Sequence, residues 1–505
     1  MLQPSTPDAA PEAPALLRLD AGDDVAVALR ALEPGECLPL DGGIVEIGEK
    51  IPHGHKVALR DLGVGESLRK YGWPIGRLTQ AVAAGRHVHS HNLETLLGGV
   101  ETYRFAPAQE GPPGEAHAME FQGYRRADGR VGTRNEIWIL PTVGCVARTA
   151  ERIASIAHAR HRKSVDGVFA FGHPHGCSQL GEDLDGTSAL LAALACHPNA
   201  GGVLIVGLGC ESNQLDRLVE RIPESLRSRV RTLKAQGVED EVEAGLAEVD
   251  ALVATAALAR RQPAALSDLV IGLKCGGSDG LSGLTANPLV GRIADRVVGG
   301  GGSALLTEIP EIFGAEQLLM ARAKDNDVFD RIVGLVNGFK RYFLSHGQAV
   351  SENPSPGNKE GGITTLEEKS LGAVQKAGRA PVADVLLYGE RVRRKGLSLL
   401  EAPGNDAVSS TALAAAGATL ILFTTGRGTP LGFPVPTIKI ASNSALAARK
   451  PGWIDFDAGA VLAEGFDAAA DALAGRMEKI ASGTPSAAEL AGERDIAIWK
   501  RGVTL

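Results

Sequence analysis

Short apolar runs that end at a polar, glycine-rich loop recur along this chain. Four of them read IWILP, GVFAF, GVLIVG and LVIGLK, and helical stretches such as ARTAERIASIAHARH lie between them. Apolar runs of this length, bounded by glycine, are typical of buried strands. Strands that alternate with helices form parallel sheets covered by helices on both faces. The sequence therefore predicts an α/β fold.

A cysteine follows each of these four runs. The thiols belong to Cys145, Cys177, Cys210 and Cys275. The carboxyl ends of parallel strands are where open α/β sheets bind ligands, so we expect a metal or redox site there, with Asp279 as a further ligand. The alternative is that each cysteine is a small buried hydrophobic residue. Cys37 and Cys196 do not follow such a run, and we expect them to be structural.

The chain of 505 residues is long enough for several domains. We expect a disordered tail over 1–15, an all-β module over 16–95 and a linker over 96–120. An α/β middle domain over 121–265 and a second α/β domain over 266–505 should follow. No internal repeat of fixed period is expected.

Composition narrows the class of protein. The net charge is -8, with 44% hydrophobic residues, and a nucleic-acid-binding protein would need a basic face. No apolar stretch reaches the ~20 residues of a membrane span, and the N-terminal residues do not resemble a signal peptide. We therefore expect a cytoplasmic protein with a small-molecule partner, without nucleic acid or membrane.

Several polar loops of the α/β part carry groups that suit chemistry. The long loop ENPSPGNKEGGITTLEEKSLG at 352–372 is too polar for a core, and such loops are usually functional. Arg427 lies between two glycines at a predicted strand end, where a guanidinium suits carboxylate recognition. A capping or packing role is the alternative for each residue. The candidates are His173, Asn287, Asn358, Lys359, Lys369, Asn405, Asp406 and Arg427.

The β module has a histidine cluster of its own. GHK supplies His55, and HVHSHN supplies His87, His89 and His91. Alternation along a strand would place the last three on one face. Three imidazoles on one face are typical of a metal site, and solvated surface histidines are the alternative. This cluster is therefore a second candidate for metal binding.

Seven long motifs, in order, resemble one family. They are GYRRADGRVGTRN, GCSQLG, GLGCESNQ, CGGSDGLSGLTANP, NPSPGNKEGGITTLEEKSLG, APGND and FTTGRGTP. Together they resemble the altronate/galactarate dehydratase family over nearly the whole chain. The segments GHKVAL and KYG resemble its SAF-type β-clip module, and HVHSHN, PGND and the closing RGVTL are more similar to the altronate branch.

The resemblance implies dehydration of a sugar acid in hexuronate catabolism, stimulated by Fe²⁺ or by Mn²⁺. It also implies a homodimer formed through the middle domain and a Rossmann-like C-terminal domain. Removal of a C2 proton and loss of a C3 hydroxyl need an acid, a base, a carboxylate anchor and metal ligands. We expect His173, Lys369, Arg427 and Asp406 to be catalytic. We expect the substrate to be bound by Asn287, Asn358, Lys359 and Asn405.

Three alternatives remain open. The same fold could act on a related acid such as galactarate, or bind a sugar acid without turnover. The strand-end thiols could also hold an iron–sulfur cluster, although no recognisable cluster motif is present.

Overall fold

The computed structural model describes residues 14–108 and 119–504. It contains mainly parallel sheets covered by helices, and a small N-terminal module of antiparallel strands. The predicted fold class, α/β with a small all-β N-terminal domain, is confirmed. Most of the predicted tail and the centre of the predicted linker, 1–13 and 109–118, lie outside the described residues.

The N-terminal module consists of short antiparallel strands connected by glycine turns. One sheet has the order β1-β2-β5-β8, β3 and β4 form a hairpin, and a third sheet has the order β6-β7-β9. The strands are β1 (Leu16–Leu17), β2 (Val25–Ala28), β3 (Cys37–Leu40), β4 (Gly43–Glu46), β5 (Lys56–Ala58), β6 (Ser67–Lys70), β7 (Trp73–Leu78), β8 (His87–Val88) and β9 (Leu93–Glu94).

The module contains a short duplicated segment, which was not predicted. VALRALEPGE at 27–36 recurs as VALRDLGVGE at 57–66. The two copies make the same local contact, since Arg30 donates to Glu36 at 2.5 Å and Arg60 donates to Glu66 at 2.6 Å. The two copies therefore form the same turn in different parts of the module.

The middle region has a parallel sheet of order β13-β12-β14-β15. A second, antiparallel sheet of order β11-β10-β16 lies beside it. The strands are β10 (Glu120–Arg125), β11 (Val131–Gly132), β12 (Glu136–Pro141), β13 (Gly167–Ala170), β14 (Ala200–Gly207), β15 (Val230–Lys234) and β16 (Gln262–Ala265). The helices are α1 (Ala147–His161), α2 (Gly181–Ala195), α3 (Leu215–Glu220), α4 (Glu224–Arg227) and α5 (Glu241–Ala256).

The C-terminal region is built on a seven-stranded parallel sheet of order β19-β20-β18-β17-β21-β22-β23. The strands are β17 (Val270–Cys275), β18 (Ser303–Leu306), β19 (Val382–Leu386), β20 (Gly396–Leu400), β21 (Leu420–Thr425), β22 (Thr437–Ala441) and β23 (Phe456–Asp457). The chain moves outwards from β17 in one direction and continues from β21 in the other. This reversal creates a switch point between β17 and β21, where open α/β sheets bind ligands.

Helices cover both faces of this sheet, and α8 shows why they form. Its apolar residues recur at helical spacing, and Val328, Ile332 and Val336 are buried along one stripe. The helices are α6 (Ala286–Gly299), α7 (Glu316–Met320), α8 (Asn326–Ser345), α9 (Pro356–Glu360), α10 (Leu366–Ala373), α11 (Asp406–Ala416), α12 (Ser444–Arg449), α13 (Val461–Glu464), α14 (Phe466–Ala481) and α15 (Ala487–Leu490). No helix of the described ranges is long and apolar enough to span a bilayer.

A buried ion triad fastens the N-terminal module to the C-terminal region. Glu368 on α10 accepts hydrogen bonds from Lys56 at 2.8 Å and from Lys70 at 2.7 Å. All three side chains are at most 2% exposed. Burial alone would raise the pKa of Glu368, but the attraction of the two ammonium groups lowers it to about 2. The carboxylate is therefore the charge that holds the module in place.

Glu368→Gln should destabilise the protein by about 3–5 kcal/mol, because it leaves two buried ammonium groups without a counter-charge. The pKa of Glu368 lies below the ~4.3 of an unfolded glutamate. Its contribution to stability is therefore fully present above about pH 4.3 and is lost as the pH falls towards about 2. Chemical denaturation at several pH values measures both effects.

Glu94→Gln is the matched control. Glu94 pairs with Arg77 at 2.6 Å, but both side chains are about half exposed. Removal of this surface pair should change the unfolding free energy by less than about 1 kcal/mol. Equal changes in unfolding free energy for the two substitutions would contradict the assignment of Glu368 as the charge that holds the N-terminal module in place.

Candidate functional site

A cavity of about 680 Å³ opens at the switch point of the seven-stranded sheet. The loop after β17 and the start of α11 contribute to its wall, as expected for this edge of the sheet. Phe339, Tyr342, Phe343 and Trp499 form an apolar side. The polar side includes Cys275, Ser278, Glu311, Asn353, Asn358, Lys369, Asn405 and Asp406. An apolar wall facing convergent polar groups is typical of a small-molecule site.

Lys369 is the central cation of the polar wall. Its Nζ donates to Glu311 Oε1 at 2.9 Å, Asn353 Oδ1 at 2.9 Å and Asn358 Oδ1 at 3.2 Å. Asn358 is in turn fixed by a 2.8 Å bond from its Nδ2 to the Ser278 carbonyl. These three acceptors match in number the three N–H groups of a lysine ammonium group.

A buried charge network lies behind this wall. Lys274, in the interior of β17, donates to Glu308 and, at 2.8 Å, to Asp406. Lys376 Nζ lies 2.8 Å from Cys275 Sγ and 3.6 Å from Glu308. Each carboxylate in the network has an ammonium partner, so the charges balance.

The pKa values of this network shift in opposite directions. Burial and the nearby Glu308 raise the pKa of the Cys275 thiol to about 12. Burial also raises the pKa of Glu308 despite the attraction of Lys274. For Lys274, burial would lower the pKa, but Glu308 and Asp406 raise it. Strongly perturbed groups in a cleft are characteristic of functional sites.

Glu308 also has an unusual backbone. Its φ is 64°, in the left-handed region that non-glycine residues seldom adopt. This conformation directs a fully buried carboxylate towards the end of β17. Strained residues of this kind concentrate at active sites, which supports the placement of the site here.

The second candidate site is the imidazole cluster of the N-terminal module. The ligating atoms of His55, His87 and His89 lie within 4.8 Å of one another. His55 Nδ1 is 3.0 Å from His87 Nε2. His91 is exposed and contacts only the edge of the group, with its ring centroid 5.5 Å from that of His87. The module therefore gathers three of the four predicted histidines through a turn after β8 rather than along one strand.

The cluster is suited to a metal ion because its rings are neutral and oriented. Burial, together with neighbouring cations, lowers the pKa of His87 to about 3 and that of His89 to about 4. His55 Nε2 lies 3.1 Å from the Glu360 carbonyl, and His89 Nδ1 lies 3.3 Å from Thr364 Oγ1. Donation from these nitrogens leaves the opposite lone pairs directed at the cluster, which is how ligating histidines are held.

Cys275, Glu308 and Glu311 also bring three ligand atoms within 4.8 Å of one another. Lys376 donates to the thiol, and Lys274 and Lys369 pair with the two carboxylates. A cation placed there would face three ammonium groups. Of the two groups, the imidazoles fit a metal ion and this group does not.

Helix α9 connects the imidazole cluster with the cavity. Its Asn358 lines the cavity, and two residues later the Glu360 carbonyl meets His55. Arg427 donates to the Glu360 carboxylate at 2.6 Å and packs over Gly277 at the cavity rim. The two candidate sites therefore belong to one interface between the module and the C-terminal region.

The structure brings only part of the predicted set to the cavity. Cys275, Asn358, Lys369, Asn405 and Asp406 line it. Asn405 also caps α11 through bonds from Ala407 and Val408. Lys359 is exposed on α9.

Other predicted residues are occupied elsewhere. Asn287 is buried and bonded to Gly372 and Thr424. Asp279 accepts from Ser282, Ser442 and Asn443, so it braces the loop after β17. His173 is buried in the middle region, 2.8 Å from the Pro141 carbonyl.

The four strand-end cysteines do not share one sheet. Cys145, Cys177 and Cys210 follow β12, β13 and β14 of the middle sheet, whereas Cys275 ends β17. The expectation that they form one edge fails because the sequence does not show to which sheet a strand belongs.

Three residues of the charge network were missed. They are Lys274, Glu311 and Lys376. Lys274 could have been predicted from the sequence, because a lysine inside the apolar run LVIGLKC must find a buried partner. No local sequence pattern marks Glu311 or Lys376, because their partners are distant in sequence.

Comparisons with family models match the three regions in order. The SAF domain of altronate/galactarate dehydratases matches residues 14–96, the second domain of D-galactarate dehydratase/altronate hydrolase matches 123–257, and the C-terminal domain of D-galactarate/altronate dehydratases matches 266–504. The chain belongs to the altronate/galactarate dehydratase family. The family resemblance expected from the motifs is thereby confirmed.

Curated relatives agree with this family. Altronate dehydratase of Escherichia coli is 48% identical over 97% of this chain and 99% of its own length. Altronate dehydratase of Bacillus subtilis is 48% identical over the same shares. Galactarate dehydratase (L-threo-forming) of E. coli is 34% identical over 87% of each chain.

Cys275 should resist alkylation in metal-free protein at pH 8. Its thiol is buried and its pKa is raised to about 12, so the reactive thiolate is scarce. Cys37, which is exposed, provides the internal control and should be modified. Peptide mass spectrometry after iodoacetamide treatment measures both, and comparable labelling would refute the protected thiol.

Proposed function

We propose that this protein is a hydro-lyase that converts D-altronate into 2-dehydro-3-deoxy-D-gluconate and water. Two altronate dehydratases at 48% identity over nearly the full chain support this substrate. The observation that carries the proposal is the cavity at the switch point, because its polar wall combines a carboxylate with an ammonium group.

The loss of water needs two proton transfers. The C2 proton, beside the carboxylate, must be removed by a base, and the C3 hydroxyl must leave as water after protonation by an acid. The C3–O bond breaks as the C2–C3 double bond forms. The resulting enol takes a proton at C3 and loses the proton of its C2 hydroxyl, which gives the 2-keto-3-deoxy acid.

We assign Lys369 as the acid and Asp406 as the base. Lys369 is surrounded by three acceptors and therefore carries a proton to give to the C3 oxygen. Asp406 Oδ1 accepts from Lys274. Its Oδ2 has no hydrogen-bond donor in the described part of the chain, and the side chain is 35% exposed at the cavity. That oxygen is available to take the C2 proton.

The remaining polar groups would position the substrate. Asn405 uses its Oδ1 to cap α11, so its Nδ2 can donate to a substrate hydroxyl. Asn353 and Asn358 hold Lys369 in place beside it. Arg427 uses one nitrogen for the exposed Glu360, and its guanidinium has further N–H groups for the substrate carboxylate.

We also propose that Fe²⁺, or Mn²⁺ in its place, is held by His55, His87 and His89. Neutral imidazoles suit such borderline metals. A bound divalent ion would supply Lewis acidity that stabilises negative charge on a hydroxy acid. Burial lowers the pKa of all three rings, to about 3 for His87 and about 4 for His89, which favours the neutral imidazole that binds a metal.

One experiment tests the function. Metal-free protein is supplied anaerobically with Fe²⁺ and given D-altronate, galactarate or other sugar acids, and keto-acid formation is followed. We expect the highest kcat/KM with D-altronate. Thermal stabilisation by a sugar acid without any keto acid would instead indicate a binding protein. Preference for galactarate would reassign the substrate within the family. A homodimer formed through the middle region stays a prediction, which light scattering would test.

Lys369→Met should lower kcat by about 10²–10⁴-fold, the usual contribution of a general acid, with a smaller change in KM. The matched control is Lys359→Met, since Lys359 is an exposed lysine ten residues away on α9. Steady-state kinetics on both variants gives the comparison. Wild-type kcat in Lys369→Met would eliminate the assigned acid.

His87→Ala should weaken Fe²⁺ binding at least about tenfold, the scale seen when even outer groups of a metal site are removed. His53→Ala is the control, because His53 is exposed in the same turn region and outside the cluster. Binding is measured anaerobically by calorimetry at pH 7 and again at pH 5.5. Because the pKa values of His87 and His89 are about 3 and 4, binding should persist at pH 5.5. Unchanged affinity in His87→Ala would place the metal elsewhere.

A further inference from the structure

Three exposed thiols of the middle region lie outside the site described above. Strands β13, β12 and β14 are adjacent and parallel, and each is followed by a cysteine, Cys177, Cys145 and Cys210 respectively. All three thiols are exposed. Adjacent strands lie ~4.8 Å apart, so the three loops emerge side by side from one edge of the sheet.

Backbone hydrogen bonds tie these loops to one another beside the cysteines. Gly144 N donates to the His175 carbonyl at 2.9 Å, and Asn213 N donates to the Gly176 carbonyl at 2.9 Å. Gly176 has a φ of 100°, and a Cβ there would lie 2.1 Å from the Thr142 carbonyl oxygen. The close approach that positions Cys177 is therefore available only to glycine.

The other metal-ligating groups of these loops are already used. The Glu211 carboxylate accepts from Thr142 Oγ1 at 2.6 Å and from Gly209 N at 2.6 Å. His173 Nε2 meets the Pro141 carbonyl, and its Nδ1 accepts from His175 N. These side chains hold the loops in shape and are not available as ligands.

The thiols, by contrast, have weak partners. Within the described residues, Cys177 Sγ lies 3.8 Å from Ser178 Oγ and Cys210 Sγ lies 3.7 Å from Gln236 Nε2. No ammonium group or carboxylate is hydrogen-bonded to any of the three in that part of the chain. Pure thiolate sets select iron–sulfur clusters, zinc or copper(I).

The spacing of the three sulfurs argues against a single metal ion. Thiolates on one tetrahedral ion with bonds of 2.3 Å lie ~3.8 Å apart. Across the described ranges, the groups of three ligand atoms within 4.8 Å do not include these sulfurs. A cubane cluster carries each thiolate on a separate iron, so it spans a wider opening than one ion does.

We propose that Cys145, Cys177 and Cys210 bind a [4Fe–4S] cluster through three of its irons, with the fourth iron open to an oxygen ligand. Such a cluster normally takes four cysteines, and the three loops supply three. The open iron would take water or the hydroxyl and carboxylate of a hydroxy acid. This site is separate from the imidazole cluster. The proposed iron–sulfur cluster and the proposed ion at the imidazoles can therefore be tested independently.

The test begins with the full-length protein reconstituted anaerobically with ferrous iron and sulfide. We expect about four acid-labile sulfides per chain, with broad absorption near ~400 nm from sulfide-to-iron charge transfer and an electron paramagnetic resonance signal after reduction. Acid-labile sulfide distinguishes the two sites, because an iron ion bound by the imidazoles would carry no sulfide. Absence of bound sulfide, or tight binding of zinc alone, would overturn the proposal.

Matched variants locate the cluster. Cys145→Ser, Cys177→Ser and Cys210→Ser should each lower bound sulfide at least about tenfold, whereas Cys37→Ser, at an exposed thiol of the N-terminal module, should bind as much as wild type. His87→Ala should keep its sulfide even if it loses ferrous iron. Unchanged sulfide in the three cysteine variants would refute the assignment.

A measurement on the wild-type protein covers the case in which a variant fails to fold. Cys145, Cys177 and Cys210 should be alkylated in cluster-free protein and protected together after reconstitution, while Cys37 reacts in both. Peptide mass spectrometry reads all four positions at once. Equal labelling before and after reconstitution would contradict the proposal.

Discussion

The candidate site depends on Glu368, the buried carboxylate between Lys56 and Lys70. The N-terminal module is small and shares part of its hydrophobic core with the C-terminal region, so contacts with that region set its position relative to the cavity. A charge pair buried at such a contact is costly to separate, because neither partner can regain water without undocking. Thr364 Oγ1 completes the contact by accepting from Lys56 at 2.6 Å while also meeting His89. One short segment of α10 and the turn before it thus fixes both the module and its imidazoles.

Charge balance governs the cavity in the same way. Lysines 274, 369 and 376 are each held by carboxylates or by the Cys275 thiol. Buried charges in such numbers are tolerated only when every one is paired. The arrangement keeps an ammonium group and a carboxylate at one wall without the solvent that would normally separate them. It also explains why a metal ion is better accommodated at the neutral imidazoles.

The α/β class, the β module and the strand-end loops could be predicted from the sequence, because apolar runs and the glycines that end them are local patterns. Lys369, Asn358 and Asp406 were predicted at the site for the same reason, since each lies in a polar loop or at a helix start. Lys376 was not predicted, because nothing near it in sequence shows that it meets Cys275 from a distance of 101 residues. The cysteines show the same limit, since an apolar run predicts a strand but does not say which sheet that strand joins. The duplicated segment of the module was not predicted, although both copies are visible in the sequence.

His55 and Lys56 are neighbours in the chain, and this adjacency has a thermodynamic consequence. On the proposed assignment His55 holds the metal and Lys56, the first residue of β5, docks the module, so metal occupancy and docking depend on two consecutive residues. Two equilibria coupled in this way are reciprocal. The free energy by which the ion favours the docked module is also the free energy by which docking favours the ion. Metal affinity would therefore report how stably the module is docked. A substitution at Glu368, far from His55 in sequence, would change the affinity for the ion.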